Sequence, residues 1–191
     1  AETGAAGEKS AAYDGTLYAL AFGYDTRDRD GDVWGASFTY AAMQYGASDP
    51  EHDNVNQTYL FQLYHALNRG PFYWDAMGSL GLDSYKGYRQ VMAGDVTRNP
   101  YANWMGYQAG LATQVGYNLA LGPVSIRPSV GASYTFLRQD SYTEEGGGDG
   151  VDLAIDANNF QSLRTTAELR FGGNFGGNPA IAPYVRGGIT H

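Results

Sequence analysis

Alternation of large apolar residues with small or polar ones, sustained over eight long segments, constrains this chain more than any other feature. The segments lie near residues 13–25, 32–46, 56–68, 71–86, 103–118, 123–140, 159–172 and 180–191. Successive side chains of a strand point to opposite faces, so a period of two predicts β-structure. In the second segment Trp34, Ala36, Phe38, Tyr40 and Ala42 share one face, with Gly35, Ser37, Thr39 and Ala41 on the other. In the sixth, Val124, Ile126, Pro128, Val130, Ala132, Tyr134 and Phe136 stand opposite Ser125, Arg127, Ser129, Gly131, Ser133 and Thr135. A soluble sandwich would expose charge on its second face. A face of Gly, Ala, Ser, Thr and Gln suits a wet, crowded lumen instead. The fold class expected is therefore all-β: an antiparallel, transmembrane, up-and-down β-barrel, represented here by about eight strands.

The connections sort in the same direction. Short ones follow the first, third, fifth and seventh strands: Thr26 to Gly31, Asn68 to Gly70, Leu119 to Gly122 and Gly173 to Asn178. Longer ones follow the second, fourth and sixth: Gly46 to Val55, Gly87 to Ala102 and Ser141 to Asn158. Membrane barrels have short periplasmic turns and longer outer loops, whereas a sandwich has no reason to alternate them. Aromatic residues give the orientation. Phe22, Tyr24, Trp34, Phe72, Trp74, Tyr117 and Phe171 all lie on the apolar parity close to a short turn. An interfacial aromatic girdle has this appearance.

Composition then excludes several functions. The 191 residues include 27 Gly, 16 Tyr, 8 Phe and 3 Trp, which favours strands and turns over long helices. A net charge of −8 argues against a nucleic-acid partner. Without cysteine, disulfides and thiolate metal sites are ruled out. The mean hydropathy of −0.39 does not count against a membrane, because alternating strands never produce an apolar run.

Candidate chemistry is sparse. Asp28-Arg29-Asp30-Gly31-Asp32 starts like a calcium loop, but Thr39 stands where the bidentate Glu is required and the flanks are strands. A charged hairpin turn is expected. Asp49, Glu51, His52 and Asp53 read as solvated loop charge, as do Glu144, Glu145, Asp149, Asp152 and Asp156. The histidines, His52, His65 and His191, form neither a catalytic triad nor a metal pair by spacing. No catalytic, cofactor-binding or metal residue is assigned, no cofactor is expected, and the chain is not expected to be an enzyme. By parity Asp75, Asp83, Arg127, Arg164, Glu168, Arg170 and Arg186 point away from lipid. A charge facing mid-bilayer lipid would cost about 2–4 kcal/mol, so the lumen is the physical place for them. They could line a hydrophilic pore and hold a chain inside it. Equally, they could pair with one another to keep a narrow lumen hydrated.

At this point a family resemblance becomes visible. Leu20 to Asp25 followed by Trp34 to Tyr40, then Tyr59 to Tyr64 with Gly70 to Asp75, resemble early hairpins of the autotransporter β-domain (type V secretion). Val130 to Thr135 leading to Ser141 to Glu144, Phe160 to Arg170, and Pro183 to Arg186 resemble later strands. The resemblance covers residues 13–191, with residues 1–12 left as a polar outer-loop remnant. It implies a twelve-stranded barrel in the bacterial outer membrane, surrounded by lipid and lipopolysaccharide and inserted by the barrel-assembly machinery. Such a barrel holds a linker helix and exports its own passenger. On topology both ends of this chain lie outside, which implies an odd number of further strands at each end; the family pattern sets these at one and three. Some members cleave themselves with lumen carboxylates and a helix Asn, which cannot be carried over to a sequence without that helix. The alternatives are another outer-membrane barrel, such as a porin or small adhesin-like barrel, and a soluble β-sandwich.

Overall fold

A computed structural model describes residues 13–48, 51–173 and 183–190. The wall consists of β1 (Tyr13–Arg27), β2 (Val33–Ser48), β3 (Glu51–Arg69) and β4 (Phe72–Arg89). A small ladder, β5 (Val91–Ala93) with β6 (Val96–Arg98), precedes β7 (Tyr101–Tyr117). After β8 (Leu119–Leu121) comes β9 (Val124–Gln139). A second ladder, β10 (Tyr142–Thr143) with β11 (Ala154–Ile155), precedes β12 (Asn158–Gly173) and β13 (Tyr184–Thr190). The hydrogen-bonded order is β1-β2-β3-β4-β7-β9-β12-β13, with β8 folded onto β9. Each pair is antiparallel. All eight expected strands are therefore present among the described residues.

One expectation is corrected. The segment Gly46 to Val55, read from sequence as a longer polar loop, is largely strand. The β2–β3 register runs out to Ser48 opposite Glu51, and β3 continues against β4 to His52 opposite Arg89. Beyond the membrane both faces of a strand meet water, so the apolar alternation lapses while the backbone ladder continues. Gln44 donates to the Asp53 carboxylate at 3.0 Å across this polar ribbon. Residues 49 and 50 lie outside the described residues, as do 1–12 and most of the seventh connection, 174–182.

Burial in this sheet is inverted relative to a soluble protein. Its buried side chains include Asp83 and Ser129, whereas Leu111, Leu163 and Ile189 stay 68%, 67% and 78% exposed. Water would not tolerate such a continuous apolar face, but lipid requires it. Ten residues of β4 separate Phe72 from Leu82 on that face. At ~3.4 Å per residue and a tilt of about 45° they span ~24 Å, close to the apolar band of a membrane barrel.

Small lumen residues let the opposite face close up. The Tyr64 ring lies over Gly35, where an added Cβ would come within 2.1 Å of it. Tyr73 covers Gly116 in the same way, and Gln108 covers Gly81. Each glycine leaves room for a neighbour's large side chain to lie flat against the wall. At the turns Gly31 (φ 89°) and Gly70 (φ 61°) supply left-handed backbone that other residues adopt at a cost.

Candidate functional site

The lumen face is the candidate site, and the register arranges its charges in two groups. Arg127, Arg170 and Arg186 are direct cross-strand partners on β9, β12 and β13, near the short-turn end. Like charges placed directly opposite destabilise a sheet, so each guanidinium needs a local partner. Arg127 sits over the Tyr73 ring at 4.9 Å and Arg170 over Tyr184 at 4.0 Å. Arg186 pairs with Glu168 at 3.4 Å. Asp75 lies within electrostatic reach of Arg127, and Arg164 follows Glu168 two rows further along β12.

Asp83 stands apart, towards the outer end of β4. Its carboxylate accepts from the Thr58 hydroxyl and from the Gln108 amide at 3.0 and 3.1 Å. These donors come from β3 and β7, on either side of β4, so the carboxylate cross-links three strands. A carboxylate this deep requires such donors, because burying it without them is costly. Sequence parity pointed to Asp83 but not to Thr58 and Gln108, which only the register brings to it.

The seven girdle candidates, Phe22, Tyr24, Trp34, Phe72, Trp74, Tyr117 and Phe171, all project from the outward face and are exposed. Among them sits His65, which sequence reasoning left unassigned. It stacks on Trp34 at 3.8 Å and meets Trp74 edge-on at 5.7 Å. Its position opposite Trp34 and Ala76 follows from the same parity. Trp74 also donates its indole N–H to the Thr113 hydroxyl at 2.7 Å. A second aromatic level lies nearer the outer end, where Tyr40 and Tyr59 pack at 5.2 Å and Tyr107 shares their row across Leu82.

Both ends of the wall carry ion pairs. In the first turn the Asp28 carboxylate accepts from the backbone N–H groups of Asp30 and Asp32 at 2.9 and 3.0 Å, so the supposed calcium-like run is a hairpin turn. Asp32 in turn accepts from Arg69 of the next turn, at 2.7 Å through Nη2 and through a second contact from Nη1. The Arg69 bonds hold the Asp32 carboxyl below its ordinary value, with the Asn68 backbone N–H adding to the effect. At the outer end the Arg89 guanidinium donates to both carboxylate oxygens of Glu144, at 2.9 and 2.7 Å. That contact likewise lowers the Glu144 pKa.

Comparison with known proteins gives these features a context. The family model for the autotransporter beta-domain matches residues 2–191. No curated protein sequence matches the chain. Among solved structures, the translocator domain of autotransporter NalP from Neisseria meningitidis is similar, with a TM-score of 0.69 and 13% identity. That match covers 93% of this chain and 61% of NalP's. The beta domain of the Bordetella autotransporter BrkA is similar with a TM-score of 0.64 and 21% identity, covering 94% of this chain and 71% of that one. The chain thus spans about three-fifths of the NalP domain. An inverted wall, a small-residue lumen and a family match along nearly the whole sequence lead to one assignment: the chain belongs to the autotransporter beta-domain family and to the bacterial outer membrane.

Proposed function

We propose that this barrel anchors its own polypeptide in the outer membrane and provides the pore through which a passenger segment reaches the cell surface. The observation that carries this reading is the pairing of faces. The outward face is apolar over the height of a bilayer core, and the inward face is lined by Gly, Ala, Ser, Thr and Gln with charges among them. An extended chain can slide along such a lining, because its large side chains Tyr64 and Tyr73 lie flat over Gly35 and Gly116 and Tyr85 and Trp104 stack on each other.

The lumen charges Asp75, Arg127, Arg164, Glu168, Arg170 and Arg186 then offer a hydrophilic contact line for the passing chain or linker helix. The seven girdle aromatics fix the inner membrane interface, supported by their exposure beside the short turns. The surrounding partners are lipid, lipopolysaccharide and the barrel-assembly machinery. The reading needs no catalytic step and no cofactor.

The test narrows the lumen. Ala112 and Ser133 are lumen-facing register partners on β7 and β9. In the full-length protein, Ala112→Trp with Ser133→Trp is expected to leave a folded, heat-modifiable barrel while surface passenger, read by protease on intact cells, falls sharply. Val130→Trp, on the lipid face, is expected to leave display unchanged. Unimpaired display with the narrowed lumen would sink the pore reading.

A further inference from the structure

The long outer connection of residues 140–157 folds against the outer ends of β4 and β7, with Asn99 and Pro100 beside Gly146 and Gly147. Past Gln139, β9 leaves the edge of β7 and the following segment takes its place. The Asp140 N–H donates to the Met105 carbonyl at 2.9 Å, and Tyr101 and Glu145 exchange both backbone hydrogen bonds at 2.9 Å. Arg89, which shares the lumen parity of Asp83 and Tyr85, reaches across to both oxygens of Glu144 and to the Val151 carbonyl at 2.7 Å. The Leu153 N–H donates to the same Glu144 carboxylate at 3.0 Å. Asp152 accepts from the Gly147 and Gly148 N–H groups at 2.7 and 3.0 Å.

This body turns inward. Tyr142 stacks on Trp104 at 4.2 Å, and Trp104 stacks on Tyr85 at 5.3 Å. Tyr85 and Trp104 are register partners on the lumen face. The Tyr142 phenol is also within electrostatic reach of Tyr45 on β2. The segment leaving β9 therefore lies over the lumen face at the outer ends of β7 and β4.

We propose that residues 140–157 are a gate on the outer mouth of the pore, latched to the rim of β4 by Arg89 and Glu144, which swings out for a passing chain and reseals after it. The inference rests on the export reading, in that a strand-lined pore left open would leak solutes. Gly146, Gly148 and Gly150, all at positive φ (91°, 85° and 78°), give the segment its sharp turns. The latch is polar and exchangeable with water, and the other anchors, the Tyr142 stack and the backbone bonds to Tyr101 and Met105, lie at the outer end of β7, so opening leaves the rest of the wall intact.

The chain has no cysteine, which makes a lock simple to install. A bonded antiparallel pair such as Tyr101 and Glu145 has Cα atoms about 5.5 Å apart. Disulfides need about 4.4–6.8 Å. In the full-length protein Tyr101→Cys with Glu145→Cys, oxidised, is expected to fold and to stall passenger display, with display restored by reductant during expression. In planar bilayers the oxidised pair is expected to hold a low conductance, and Arg89→Ala to raise it. Equal conductance in the oxidised, reduced and Arg89→Ala proteins, with display indifferent to the lock, would overturn the gate. Failure of the export reading is a separate result: the unmodified protein would place no passenger on the surface.

Discussion

The two ends of this wall are held by the same chemistry on very different scales. At the short-turn end, among the described turn residues, the Arg69 guanidinium ties its hairpin to Asp32 of the preceding one. At the long-loop end Arg89 and Glu144 hold a body with its own ladder, aromatic stack and backbone exchange with β7. The short end only has to return the chain to the membrane. The long end has enough residues to build structure over the mouth, and it does so with interactions that water can loosen. An invariant inner rim and an outer rim able to change state follow from that contrast.

The largest expected effect belongs to neither end and sets the scale for both. Leu111 lies on the lipid face midway between Tyr107 and Val115. Leu111→Arg is expected to destabilise the barrel by about 2–4 kcal/mol, while Ala112→Arg on the lumen side costs much less. Denaturant titration of protein refolded into vesicles measures both. Next comes Gln108→Leu, which removes the amide from buried Asp83. About 1–3 kcal/mol of destabilisation is expected in the same assay.

The clamps come below that, and here the ends should separate. Arg89→Ala is expected to expose residues 141–157 to added protease while the wall remains intact. Arg69→Ala should open no comparable cleavage site, because its turn has no folded loop to release. Equal proteolysis of the two variants would break the comparison.

The smallest effect is a dependence on pH. Both carboxylates are shifted down by their arginines. A carboxyl whose folded pKa is lowered contributes stability in full above its unfolded value, about 3.9 for Asp and 4.3 for Glu. That contribution is lost as pH falls through the lowered value. The difference in hydrogen exchange of residues 141–157 between wild type and Arg89→Ala should therefore be smaller in strong acid than at neutral pH. A constant difference across that range would contradict the pairing.

The eight wall strands were legible because lipid on one side and a crowded lumen on the other force each residue to declare its face. The same rule, applied to His65, would put it on the outward face, although its packing between two indoles needs the register to be seen. Where the wall leaves the membrane the rule fails, so the polar ends of β2 and β3 read as a loop. The clamps were illegible for another reason. Arg89 and Glu144 are 55 residues apart and Arg69 and Asp32 are 37 apart, and no local pattern links them. In sequence each acid was one solvated charge among several, and only the pairing of strands shows which acid meets which arginine.

Both rims and the pore between them require one face of the sheet to meet lipid and the other to meet water. Single cysteines at Val115, Gln114, Thr113, Ala112, Leu111 and Gly110 of β7, introduced into a chain with none of its own, test this directly. In membranes, a charged, impermeant thiol reagent is predicted to label positions 110, 112 and 114 and to spare 111, 113 and 115. Labelling that runs along the strand without alternation, or that favours the odd positions, would contradict the account.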